Sequence, residues 1–236
     1  MIPPYFLIFL FPLGIYFLIL ANINRRARPF MIGGCWDAVM LSFGLSGILL
    51  WVGPTILGAF YERGLIPGSA DQPNRQFNQV WTLYPWIWVS YYALVIGGQG
   101  LMIFSRRDKT IVYNVDAKAL EQLVGQVLAE KGYRISAGHG LLVFDATEPG
   151  IATAQRAGAV DIEPFAPLRH AVMHWHTQDR RLRQAVDREV NERLADASTS
   201  ENASASWLLS LSGAIFGLVI LGAVFLILSK IFPSKW

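Results

Sequence analysis

The chain has 236 residues, of which 53% are hydrophobic and 16% charged, with a formal net charge of +3. Soluble domains carry about 25% charged residues, so this composition excludes an ordinary soluble protein. The small net charge, with its basic residues set beside hydrophobic segments, argues against nucleic acid, and the single cysteine, Cys35, excludes an intrachain disulfide and a cysteine-based metal cluster.

Pro4 to Ala21 is uncharged and rich in Phe, Leu and Ile. About 20 such residues at ~1.5 Å each cross a hydrocarbon core of about 30 Å. No basic residue precedes the segment, whereas Arg25, Arg26 and Arg28 follow it. A cleaved secretory signal has the opposite arrangement, so a retained helix is expected. Further spans are expected at about Ala38 to Phe60, Val80 to Phe104 and Trp207 to Ser229. Pro12, Pro54 and Pro85 fall inside or near the ends of these spans. Membrane helices tolerate proline where neighbouring helices satisfy the carbonyls it frees.

Three arginines separate the first two spans, and Arg106, Arg107 and Lys109 follow the third. The loop from Glu62 to Gln79 holds only Arg63 and Arg75, and the tail only Lys230 and Lys235. The positive-inside rule then places both termini outside and residues 105–206 in the cytoplasm, with a bacterial inner membrane as the expected compartment. Trp36 and Trp207 would mark the inner boundary, and Trp81, Tyr84 and Trp86 the outer one.

Residues 105–197 read as a folded domain between the third and fourth spans. Ile111–Val115 alternates as a strand. Asp116 is an N-cap, and Ala117, Leu120, Leu123, Val124, Val127 and Leu128 follow at helical spacing, closed by Gly132. Tyr133–Ala137 and Leu141–Asp145 flank the turn signal Gly138-His139-Gly140. Thr147 to Gly158 reads as a loop, then Val160–Glu163 and His170–Trp175 as strands. A helix from about Gln178 to Ala197 and a polar linker, 198–206, lead into the last span. The expected fold is thus a four-helix transmembrane bundle with an inserted cytoplasmic α+β domain, an antiparallel sheet carrying two helices on one face. In element order alone it loosely resembles the ferredoxin-like plan.

His170, His174 and His176 point to one face of their strand, and Ala171, Met173 and Trp175 to the other. Three imidazoles and a water form a known zinc geometry. Ligands at alternate strand positions lie about 7 Å apart, however, and the plainer reading puts the histidines on the polar face above a Trp/Met/Ala core. Arg180, Arg181 and Arg183 form a candidate contact for anionic lipid headgroups. Asp145, Glu148, Asp161 and Glu163 are explained as loop or outward strand residues. The sequence has no Walker or dinucleotide glycine loop and no serine nucleophile elbow.

No ionisable residue falls within the core of any span, which disfavours a proton relay, intramembrane haem and transport. Gly213 and Gly217, with Ser210 one turn earlier, form a small-residue face expected to pack on another helix, of this chain or another. These readings point to a non-catalytic membrane subunit or scaffold whose domain binds a partner, without a cofactor. Its expected contacts are the lipid bilayer and, through the membrane helices, a protein partner or a second copy. The competing readings are a membrane-bound enzyme or metal-binding protein using the histidine face, and a small channel or carrier.

Overall fold

The computed structural model describes residues 4–26, 28–52, 85–138, 140–146, 158–165, 169–177, 179–197 and 202–231. In chain order the elements are α1 (Phe11–Arg25), β1 (Phe30–Gly33), α2 (Gly34–Gly47), α3 (Pro85–Ser105), β2 (Lys109–Tyr113), α4 (Ala117–Glu130), β3 (Tyr133–Gly138), β4 (Leu141–Ala146), β5 (Gly158–Phe165), β6 (His170–His176), α5 (Arg180–Ala195) and α6 (Ala203–Ile231). The expected end of the second span at Phe60, the interfacial Trp81 and Tyr84, His139, Glu148 and the loop 147–157 lie outside the described residues. The chain divides into two compact units, one of Met1–Leu18, Met40–Met102 and Ser210–Trp236, the other of Ile19–Val39 and Ile103–Leu209.

Four helices are long and apolar enough to cross a membrane: Leu7–Arg25, Gly34–Trp51, Trp88–Ser105 and Ser204–Ser229. Within the first unit, proline decides where α1 begins. Pro12 has no amide hydrogen, so it fits the first helical turn, and a 3-10 helix, Pro4–Leu10, precedes it. Gly14 lets α1 meet α6: the Ser212 hydroxyl donates to the Gly14 carbonyl at 2.9 Å, and a Cβ at Gly14 would sit 3.0 Å from Phe216 Cε1. Gly44 faces Tyr16 as closely, and a Cβ at Gly47 would overlap the Phe9 carbonyl oxygen.

Beyond Gly47 the helix loosens into a π turn, Ile48–Val52. The Tyr91 hydroxyl donates to the Leu49 carbonyl, and the Tyr92 hydroxyl to the Leu50 carbonyl at 3.1 Å. Two phenols of α3 thus supply donors to carbonyls of this π turn. Leu94, Ile96, Leu101, Ile220 and Leu221 are large apolar side chains left exposed on this unit, a surface suited to lipid.

The small-residue face of α6 does not pack within the described part of the chain. Ser210, Gly213 and Gly217 are exposed, and no heavy atom of the described residues lies within 4 Å of a Cβ built at either glycine. The packed face of this helix is instead that of Ser212 and Ile215.

The second unit holds one six-stranded antiparallel sheet in the order β1-β2-β6-β5-β4-β3. Here the ferredoxin-like comparison gives way. That plan has two strands between its helices, whereas four consecutive strands, β3 to β6, form an unbroken meander between α4 and α5. The links at 139–140 and 166–169 are too short for the crossover that a parallel pair needs. β2 joins at the far side, with Ile111 opposite Val172. β1, read from the sequence as part of a short loop, adds an edge strand with Phe30 opposite Tyr113 and Gly33 opposite Thr110.

Both helices share one face of this sheet. Leu120, Val124, Val127 and Leu128 of α4 and Val186, Val190 and Leu194 of α5 form one core with Val112, Leu142, Phe144, Val160, Ile162, Met173 and Trp175. The strand register puts those strand residues on a common side. Leu123, expected in the core, is only half-buried at its edge. Both helices start on aspartate caps. Asp116 accepts from the Lys118 and Ala119 amides, and Asp179 from those of Arg181 and Leu182. Gly132, with φ of +84°, turns the chain from α4 into β3, a conformation open to glycine at little cost.

Candidate functional site

The face of the sheet away from α4 and α5 carries the titratable groups. Strand alternation predicts that His170, His174 and His176 share it, and they do. Each has a different environment. His174 Nε2 lies 3.3 Å from Glu163 Oε2, and His176 is exposed. The His170 ring stacks on Phe165, with centroids 4.9 Å apart, and tilts against Tyr113 at 5.3 Å. Burial pushes the His170 imidazole below its ordinary pKa, with Asp37 opposing the shift and Arg106 adding to it. Its Nδ1 is buried without a hydrogen-bond partner among the described residues. Among those residues, no three His, Cys, Asp or Glu side chains are grouped to hold a metal ion. His174 and Glu163 lie within ion-pair distance; the trio does not converge among the described residues.

Next to His170 lies a buried polar knot. Asp37, in the first turn of α2, accepts from Arg106 Nη1 at 2.6 Å and from the Tyr113 hydroxyl at 2.5 Å. Its carboxylate is nearly buried, and two donors satisfy it. A second tie joins Asn24, near the end of α1, to Asn202, which precedes α6: Asn202 Nδ2 donates to Asn24 Oδ1 at 2.9 Å. Asn202 Oδ1 also accepts from the Ser204 amide at 3.1 Å, capping α6. A third runs from Asn114 Nδ2 to the Arg26 carbonyl at 2.5 Å. The first joins the start of α2 to β2, and the second joins the end of α1 to the start of α6.

The three candidate headgroup arginines separate. Arg180 and Arg181 are exposed. Arg183 turns inward, with its side chain 18% exposed, and donates to the carbonyls of Arg107 at 3.0 Å and Lys109 at 3.1 Å. It also sits 3.5 Å from Asp187, whose carboxyl is raised by burial while Arg183 and the Thr110 hydroxyl pull it back. Arg183 is thus engaged by the strand that follows α3, a role its place in a charged helix did not suggest.

On the opposite side, between α4 and the meander, lies an open groove of about 600 Å³. Ile135, Ala137, Leu142, Ile162 and Pro164 line its sheet side, and Lys118, Glu121 and Gln122 of α4 stand on its helix side. Gly125 borders the groove, where a Cβ would meet only Ile135 Cδ1 at 4.0 Å. Sequence reading missed this groove. The available signal was a glycine in the middle of an otherwise regular amphipathic helix, which costs about 1 kcal/mol relative to alanine and so asks for a reason. Compared with known proteins, the chain matches no family model, no curated protein and no solved structure.

Proposed function

We propose that this chain is a non-catalytic membrane subunit or scaffold, held in the bilayer by four helices, whose α+β unit binds a partner through the α4 groove. The arginine clusters after the first and third spans favour both termini outside and residues 105–206 in the cytoplasm, in a bacterial inner membrane. The observation that carries the reading is the groove itself: an apolar floor with one cation, one acid and one amide along its rim. Such a mixture suits a short apolar peptide side better than a charged metabolite. The polar groups of the opposite face support it indirectly, because Asp37, Arg106 and Tyr113 are consumed in holding one another.

A photo-crosslinking side chain at Gln122 tests the proposal in native membranes. It should give one discrete protein adduct, which Gly125→Trp, filling the groove from the helix side, removes. An adduct that survives Gly125→Trp, or a crosslinker at exposed Arg188 giving the same product, would refute the groove. The enzyme reading rests on the His174–Glu163 pair. Stoichiometric zinc or iron in the purified protein, lost on His174→Ala, would put that reading first.

A further inference from the structure

The two outer strands of the sheet end it differently. β1 is four residues long, follows Pro29 and runs straight into α2 at Gly34. A short edge beside a proline is a common guard against pairing with another chain. β3 lacks such guards. It has six residues and no proline, a length of about 20 Å at ~3.4 Å per residue. Its register with β4 is unbroken from Tyr133 to Gly138, so no bulge bends it away. Among the described residues β3 pairs with β4 alone. Every second residue along it turns its amide and carbonyl outward, away from the sheet.

The α4 groove adjoins this edge. Ile135 and Ala137 of β3 lie opposite Phe144 and Leu142, so they point to the helix side, the first half-buried and the second exposed. α4 buries Leu120, Val124, Val127 and Leu128, and leaves Lys118, Glu121, Gln122 and Gly125 on the flank beside the groove. A strand added outside β3 would set its helix-side residues ~4.8 Å beyond Ile135 and Ala137. Gly125 has no side chain to obstruct them. The flank also says what kind of strand fits. Over a lone strand its polar groups stay in water, whereas a second copy joined edge to edge would press two such flanks together above the seam. On the other face of the sheet Arg134 is exposed, and an acidic residue directly across from it would be favoured.

We propose that a partner protein adds an extended segment to β3 as a seventh strand of the sheet. Its backbone pairs with the outward amides and carbonyls of Tyr133–Gly138, its alternate apolar side chains enter the α4 groove, and an acidic residue on the other face meets Arg134. Main-chain bonds supply the affinity of such an addition, and the side-chain groove its specificity. The inference rests on the reading that the groove binds a partner, and the experiment separates the two. The probe is a fluorescein-labelled peptide that alternates valine with threonine and one aspartate. Two derivatives carry methyl groups on backbone nitrogens, one at the valines and one at the polar residues. In an extended peptide these two sets of amides lie on opposite edges. Binding to the unaltered full-length protein in micelles is followed by fluorescence anisotropy.

An added strand bonds along one of its edges and leaves the other in water. The expected result is binding of the parent peptide, a loss of about tenfold or more for one derivative, and a change within about twofold for the other. Gly125→Trp should weaken the parent as strongly as the damaging methylation does. If both derivatives bind like the parent while Gly125→Trp abolishes binding, the groove is used without strand pairing, and this proposal alone falls. Equal loss for both derivatives, or no binding of the parent, overturns it too. The groove reading beneath it is judged separately, by the adduct at Gln122, and falls if that adduct is absent. A photo-crosslinking side chain at Ser136 that joins two copies of this chain would assign the edge to a second copy, and the proposal would fall.

Discussion

Asp37→Ala offers the sharpest energetic test, because one carboxylate serves two donors. Removing it strands the Tyr113 hydroxyl, a buried group that loses its acceptor at 2.5 Å. Leaving such a group unsatisfied costs about 1–3 kcal/mol. It also removes the partner of Arg106, but that guanidinium is about one-third exposed, and water reaching it limits the loss to ~1 kcal/mol. Together the substitution should destabilise the protein by about 2–4 kcal/mol. Asp37→Asn retains an acceptor for Tyr113 and loses chiefly the charge, so about 1 kcal/mol is expected. Equilibrium unfolding of the full-length protein in mixed micelles, extrapolated linearly in denaturing detergent, would measure both. The reasoning is refuted if Asp37→Ala costs under ~0.5 kcal/mol, the scatter of ordinary surface substitutions, or if Asn and Ala behave alike.

Three further outcomes follow from the same geometry. Arg183→Ala should cost about 1–3 kcal/mol, since a guanidinium donating to two backbone carbonyls leaves both short of a donor, whereas Arg180→Ala and Arg181→Ala should each stay within ~0.5 kcal/mol; thermal unfolding of the three variants decides it. His170 has a folded pKa below its unfolded value near 6.5, so between the two the unfolded chain binds more protons; stability should fall as the pH drops from about 7.5 to about 5.5, and His170→Gln should flatten that slope. Gly213→Leu should leave the unfolding midpoint of the isolated chain unchanged, because nothing described lies against that glycine, and should reduce any oligomer seen by crosslinking if the face meets a second copy.

Much of the sheet unit was legible because its signals are local. Asp116 before a striped helix, Gly132 after it, and the alternation from His170 to Trp175 each specify an element within a few residues, and all are found. What was not legible depends on distant pairing. Phe30–Gly33 has four residues, too few for alternation to show, and becomes a strand only because Tyr113 and its neighbours offer it an edge. The order of strands likewise follows from tertiary packing, so element order alone suggested a plan that the meander does not follow. The Asp37–Arg106–Tyr113 knot joins residues up to 76 positions apart. Its acid lies three positions into the second candidate span, too far in sequence from Arg106 and Tyr113 for a local pattern to pair them. Nor could the sequence show that Tyr91 and Tyr92 donate to carbonyls of another helix.

The proposed topology, four spans with residues 105–206 in the cytoplasm, is tested most directly by cysteine accessibility in intact cells. Single cysteines introduced at Ala70 and Gly150, in a Cys35→Ser background, are exposed to a membrane-impermeant maleimide before and after permeabilisation. The account predicts labelling at 70 in intact cells and at 150 only once the membrane is opened. Labelling at 150 in intact cells, with 70 protected, would show that the arginine clusters misreport orientation and would place the groove and its partner on the opposite side of the membrane.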